Sequence, residues 1–240
     1  MSESLDRPID VPELTAEEIL ARVLHRDGLM LVIDKPAGLP VHRGPKGGAN
    51  LEASFDALRF GLPRPPVLAH RLDKDTSGCL VLGRHRKATA SLGLLFKHGK
   101  ISKTYWAVVE GGPTEDEGSI VMPLGRLNVE RGWWQKPDPG GQKAVTNWKV
   151  LGRGNGLTWL AMEPVTGRTH QLRVHAAATG WPIVGDNIYG TGPRFGEPRL
   201  HLHSREFGIP ISRNKDPVRV VAPAPEHMQE RLRACGWNGE

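Results

Sequence analysis

Cysteine is scarce in this chain of 240 residues. Cys79 and Cys235 lie far apart, which leaves no disulfide framework and no cysteine-based zinc site. Cys79 belongs to the apolar run CLVLG and reads as a small buried hydrophobe. No apolar stretch approaches the length of a membrane span. The opening MSESLDRPIDVPEL has no basic start and no apolar segment behind it, so a secretory signal is not expected. Internal repeats and low-complexity linkers are also missing. These absences lead to the expectation of a cytoplasmic protein with no membrane partner.

What is present is the composition of an ordinary globular protein, 38% hydrophobic and 24% charged. The length suffices for one large domain or two small ones with a real core. The formal charge is +6 and it is unevenly spread. Residues 1–24 carry six acids and two bases, so the rest of the chain holds +10. A basic body favours a polyanionic partner, because each neutralised phosphate releases counterions. Charge alone does not select nucleic acid.

The pattern of residues predicts the elements. Residues 1–14 read as a loose tail. Thr15 with Glu18 forms a capping box, and Ile19, Leu20, Val23 and Leu24 give the helix behind it an apolar stripe. Residues 29–34 read as a buried strand, 35–48 as a loop broken by Pro and Gly, and 51–59 as a short helix. Strands are expected at 66–72 and 78–84, a helix at 86–98 closed by Gly99, and a strand at 101–111. SIVMPL reads as a strand and 125–142 as irregular. Strands near 143–151 and 157–163 precede a helix from Thr169 to Thr179, closed by Gly180. Strands near 199–207 and 217–222 and a helix near 225–235 complete the chain. Strands outnumber helices and short turns join them. This predicts an α+β fold with a mixed, largely antiparallel central sheet and flanking helices. The expected division is a tail and short helix over 1–27 and one catalytic unit over 28–240.

Three segments carry chemistry. HRLDKDTSG (70–78) sets Asp73 and Asp75 among His70, Arg71 and Lys74, between two apolar runs. A charge-dense loop between core strands is where a scaffold presents reactive groups, although a solvated turn has the same composition. In KTYWAVVEG (103–111), strand alternation puts Lys103, Tyr105 and Ala107 on one face and Thr104, Trp106 and Val108 on the other. A half-buried tyrosine offers a ring to stack on a base, or simply core packing. In TGRTHQLRVHAAATG (166–180), Thr169 is a good N-cap. Arg168, His170 and Arg173 crowd the first turn, where the helix dipole disfavours cations. That arrangement calls for a compensating anion, either a phosphate or a buried carboxylate. Leu172 and Ala176 are the expected core contacts of this helix.

Five landmarks in this order resemble the RluA-type pseudouridine synthase family. They are LVIDKPAGLPVH (31–42), HRLDKDTSGCLVL (70–82), KTYWAVV (103–109), GRTHQLRVHAAATGWPIVGDNIYG (167–190) and RLHLHS (199–204). The resemblance covers about residues 28–223. It implies an RNA uridine isomerase with Asp73, and not Asp75, as nucleophile. It implies that Tyr105 stacks on uracil and takes part in proton removal from C5, and that Arg173 pairs with the catalytic carboxylate. Arg71 would occupy the gap left by an extruded base, and Leu202 would line the uracil pocket. Arg168 and His170 are expected at the substrate. Many relatives carry an additional N-terminal S4 domain; this chain looks like the short form.

Breaking a C–N glycosidic bond and remaking it as C–C is an isomerisation. It is expected to need no redox partner, ATP, metal or other cofactor. A nucleophilic carboxylate can hold one fragment covalently, the sugar at C1′ or the base at C6. An arginine partner keeps such a carboxylate ionised in a dry pocket. The target uridine must be flipped from its stack, at least cost in loops and bulges. Arg43, Lys46, Arg126, Arg131, Lys136 and Lys143 are placed to meet phosphates, and Trp133 and Trp134 either stack on bases or pack. Ribosomal or transfer RNA is the expected partner, with a monomer and no required protein partner. Three rivals stand. One is a glycosidase using Asp73 and Asp75. Another is a metal hydrolase using His170, His175, His201 and His203, whose spacing is not HExxH. The third is an RNA-binding protein without activity.

Overall fold

In the computed structural model, residues 11–44, 47–128, 133–212 and 214–239 are described. The expected phosphate contacts Lys46 and Arg131, and most of the expected tail, lie outside them.

Helix α1 (Ala16–Ala21) starts at the expected capping box: Thr15 Oγ1 accepts from Glu18 N, and Glu18 accepts from Thr15 N. It is shorter than the apolar stripe predicts. Val23 and Leu24 enter strand β1 (Val23–Arg26), which pairs antiparallel with β2 (Met30–Lys35). Pairing thus overrides helix propensity there, and residues 23–26 are part of a sheet. A 3-10 turn, Glu52–Leu58, follows.

Strand β3 is only Val67–Leu68, whereas 66–72 is the sequence expectation, and β4 is Ser77–Gly83. The β3–β4 ladder stops for a visible reason. Ala69 N still donates to Val81 O, but the N–H of Val81 is taken by the imidazole Nε2 of His70. Main chain is released there into the loop that carries Asp73. Helix α2 (Arg86–Lys97) ends at a left-handed Gly99, φ +62°.

Next come β5 (Ser102–Glu110), β6 (Glu117–Val121), β7 (Leu124–Arg126) and β8 (Gln135–Pro137). The stretch 125–142, read as irregular, contains an antiparallel pair: Leu124, Gly125 and Arg126 face Pro137, Lys136 and Gln135. Gly and Pro conceal so short a ladder from any periodicity argument. Strands β9 (Val145–Gly154) and β10 (Leu157–Pro164), helix α3 (Gln171–Ala178), strands β11 (Leu202–Ile209) and β12 (Val218–Val221), and helix α4 (Glu226–Ala234) complete the fold.

The described residues form two compact units. One holds residues 11–102 and 204–223; the other holds 103–203 and 224–239. The chain passes between them without any linker composition, so a scan for linkers finds none. In the first unit β2 pairs with both β1 and β4, and β12 pairs with β11, all antiparallel. Met30, Val32, Cys79, Val81, Phe207 and Ile209 build its core, and Cys79 is the buried hydrophobe expected. In the second unit β10 lies between β5 and β9, and β6 pairs with β9, again antiparallel. The alternation of β5 is as expected. Tyr105, Ala107 and Val109 meet the cluster of Leu160, Met162 and Leu172, while Trp106 and Val108 meet Met228 and Leu232 of α4.

Candidate active site

The loop 69–76 presents Asp73. Asp73 and Asp75 are half-buried, Arg71 and Lys74 are exposed, and Leu72 is buried. His70, grouped with the titratable residues by sequence, has a structural role. Its ring stacks on Phe96 at 4.0 Å between centroids while its Nε2 accepts from Val81 N.

The loop is pinned by Lys35, a residue the sequence reading passed over. Its side chain is fully buried, and Nζ donates to the carbonyls of Pro36, Lys74 and Thr76, each at 2.8 Å. Three carbonyls match the three N–H bonds of an ammonium. Gly38 N adds a second bond to Lys74 O, and Thr76 N donates to Asp73 O. Burial pushes the Lys35 ammonium down to about 7, against the pull of Asp75, Asp73 and Asp34. Burial also pushes the neighbouring Asp34 carboxyl up to about 6, although Arg22 and Lys35 oppose it. The landmark DKPAG therefore fixes the backbone of the landmark HRLDKDTSG. A signal existed in strand alternation: Lys35 shares a face with Leu31 and Ile33, which points a lysine inward.

In the second unit, Tyr105 is half-buried on β5 opposite Met162, and the buried Leu202 belongs to the same apolar cluster. Helix α3 begins at Gln171, two residues later than expected. The cap is His170, held left-handed at φ +53° with no side-chain cap bond, and Thr169 is an exposed turn residue. Gln171 explains the shift. Its Oε1 accepts from Arg168 N and from Thr166 Oγ1, and its Nε2 donates to Val145 O and Thr146 Oγ1. The first side chain of the helix thus ties its start to the preceding turn and to the segment at Val145 and Thr146.

Residues Gln171 to Ala176 are all buried, so the polar ones must find partners. His175 bonds Thr146 Oγ1 and Met122 O, and burial lowers its pKa. Arg173, 3% exposed, donates through Nε and Nη2 to the two carboxylate oxygens of Asp186, at 2.9 and 2.7 Å. Asp186 also accepts from the N–H groups of Ile188 and Tyr189. Burial raises its pKa, but the Arg173 guanidinium and these N–H groups more than offset that, and the carboxyl is held below its ordinary range.

Here is the buried carboxylate that the misplaced charge at the helix start demands. The need for an anion is readable in the sequence; that Asp186 of GDNIYG supplies it is not. His170 is buried, with Nδ1 2.7 Å from the Tyr189 hydroxyl and its ring edge-on to Trp133. Arg168 is exposed, with Nε donating to Lys143 O. Trp133 and Trp134 pack edge to face, and Trp133 remains 57% exposed.

Residues 29–178 match the family model described as RNA pseudouridylate synthase. The chain belongs to that family. A Zymomonas mobilis protein named as an uncharacterized RNA pseudouridine synthase is 44% identical over 207 residues, spanning 85% of this chain and 94% of its own length. A Bacillus subtilis protein of the same description, YhcT, is 33% identical, spanning 94% and 77%. Among solved structures, human RNA pseudouridylate synthase domain containing 4 superposes with a TM-score of 0.75 and 28% identity, over 91% of this chain and 95% of that one. The synthase is therefore an isomerase that acts on RNA uridine, and its fold is the mixed, largely antiparallel α+β fold expected.

Among the described residues no group of three or more His, Cys, Asp or Glu is placed to hold a metal ion. His170 and His175 are committed as above, and His201 Nδ1 bonds Arg199 O. Burial pushes His201 down to about 4. No helix among the described residues is long and apolar enough to cross a membrane.

Proposed function

We propose that the synthase isomerises uridine in structured ribosomal or transfer RNA, with Asp73 as its nucleophile. One observation carries the reading. A half-buried carboxylate projects from a loop whose backbone is bonded from below by a fully buried ammonium. Such a loop presents its acid with little freedom, as a covalent nucleophile requires. Asp73 attacks C1′ of the flipped uridine or C6 of its base. The carboxylate oxygen forms one new bond, to C1′ or to C6, and the glycosidic C–N bond breaks. The base turns, C5 bonds to C1′, and the bond to the carboxylate breaks again so that Asp73 is returned as the free carboxylate. The proton on C5 must then leave, and N1 gains one, so atoms balance without an oxidant or a cofactor.

Tyr105 stacks on the uracil and takes part in removing the C5 proton, and Leu202 lines the pocket. Arg173 pairs with the Asp73 carboxylate and keeps it ionised. Its guanidinium has five donors, so the bidentate bond to Asp186 does not exhaust it. Asp186 is then the positioning residue for Arg173. Arg71, exposed beside Asp73, enters the gap left by the extruded base. Arg168 and His170 belong to the substrate-binding surface. The enzyme acts as a monomer in the cytoplasm without a required protein partner.

The test is tritium release from RNA carrying 5-tritiated uridine, followed by mapping of pseudouridine in total RNA from cells with and without the gene. Tritium release and loss of defined pseudouridines from ribosomal or transfer RNA are expected. Free uracil as the main product would instead support the glycosidase reading.

A further inference from the structure

A groove in the second unit lies beside the β7–β8 pair, with a volume of about 520 Å³. That falls within the range of small-ligand sites. Its polar lining includes Arg126, Gln135, Asp138, Gln142 and Arg168. Two glycines of its wall allow close approach of the chain. A Cβ on Gly125 would lie 2.3 Å from the Asp138 carboxylate, and one on Gly141 would lie 2.4 Å from the Leu124 carbonyl.

The charges in the groove are not equivalent. Asp138 is committed to the turn: its carboxylate accepts from Gly140 N, its carbonyl accepts from Gly141 N, and its own N–H donates to Pro123 O. Arg126 and Arg168 are exposed. Among the described residues neither forms a salt bridge with a carboxylate. Arg168 is steadied by its Nε bond to the main-chain carbonyl of Lys143. Lys103 Nζ lies 4.0 Å from where a Gly167 Cβ would stand, and Gly167 lines the same groove.

We propose that this groove is a phosphodiester subsite, in which Arg126 and Arg168 together hold one backbone phosphate of the RNA. The inference rests on the reading of the enzyme as acting on RNA. Guanidinium forks match phosphate oxygens in geometry and charge. A phosphodiester carries a single negative charge. The carboxylate of Asp138 in the lining disfavours a doubly charged terminal phosphate and leaves an acceptor for a ribose hydroxyl. The subsite gives a common ligand to two exposed arginines that line one polar groove.

The test is fluorescence anisotropy with a labelled decauridylate RNA lacking terminal phosphates, measured across a salt series. The proteins are the wild type, the double variant Arg126→Gln/Arg168→Gln, and the charge-preserving Arg126→Lys/Arg168→Lys. Both side chains are exposed, and matched melting curves confirm that the variants fold. Loss of one phosphate contact lowers the slope of log affinity against log salt by about 0.7, and lowers affinity about fourfold near 0.15 M salt. The glutamine variant should show both losses, and the lysine variant should keep the wild-type slope. Equal slopes and affinities for the wild type and the glutamine variant would overturn the subsite. Tritium release by the wild type is measured alongside. Its failure would count against uridine isomerisation, whereas the subsite is judged by the salt slope alone.

Discussion

The Asp73 loop and the Arg173 helix are fixed by opposite means. In the first unit a single lysine collects three main-chain carbonyls, so what is held is backbone. In the second, the anchors are the helix's own side chains: Gln171 and His175 reach both side chains and main-chain carbonyls of neighbouring segments, and Arg173 reaches the Asp186 carboxylate. The contrast follows from local structure. A loop has unpaired carbonyls to offer, and they must be satisfied if they are buried. A helix interior has already paired its own, so only side chains remain to anchor it. The loop thus tolerates changes in what it displays, whereas the helix depends on the identity of each polar residue.

Four substitutions sharpen that comparison. The largest loss of stability is expected from Asp186→Ala, which strands the buried Arg173 charge. About 4 kcal/mol should disappear in urea unfolding, and adding Arg173→Leu should restore a large part of it. If the double variant is as unstable as the sum of the two singles, the pair is not coupled. Lys35→Met leaves the carbonyls of Pro36 and Thr76 without the lysine donor, and that of Lys74 with Gly38 N alone, and should cost about 3 kcal/mol. Pseudouridine formation should fall further than the melting curve explains, because the Asp73 loop loses its pin. Full activity in a folded Lys35→Met protein would remove Lys35 from the account.

Third is a pH effect in the side-chain-held unit. His201 is buried, its Nε2 has no hydrogen-bond partner among the described residues, and its pKa is pushed down to about 4. The unfolded chain takes up a proton on this group near pH 6.5 while the folded one resists. Stability should therefore fall as the pH drops from 6.5 toward 4, by roughly 2 kcal/mol from this residue. His201→Gln should flatten that part of the wild-type profile; an unchanged slope would show that another group titrates. The smallest effect is expected from Arg71→Ala. An exposed residue in a loop fixed through its backbone should change stability by less than about 0.5 kcal/mol. Conversion of RNA uridine should nevertheless drop.

The sequence made the strands and the family landmarks legible because alternation and turn residues are local properties. The capping box of α1, the faces of β5 and the helix-closing Gly99 all follow from neighbours within a few positions. What was not legible depends on distant partners. The early end of β3 depends on a histidine ring replacing a carbonyl, and the late start of α3 on where Gln171 finds Val145 and Thr146. The β7–β8 pair is too short for any period to register. For the site, the residues that display chemistry were readable and those that hold them were not. Lys35 and Asp186 reveal themselves only through what they touch. The physics of the helix start did require an anion near Arg173, but spacing alone does not say which of the 26 acids supplies it.

The most direct measurement compares pseudouridine formed in target RNA by the wild type, Asp73→Asn and Asp73→Ala, at matched concentration and with matched melting curves. Loss of a nucleophile should reduce turnover by about 10⁴-fold or more while leaving RNA affinity and stability near wild type. Turnover by Asp73→Ala within about tenfold of the wild type would contradict the account, since no reaction through a carboxylate nucleophile survives its deletion so well.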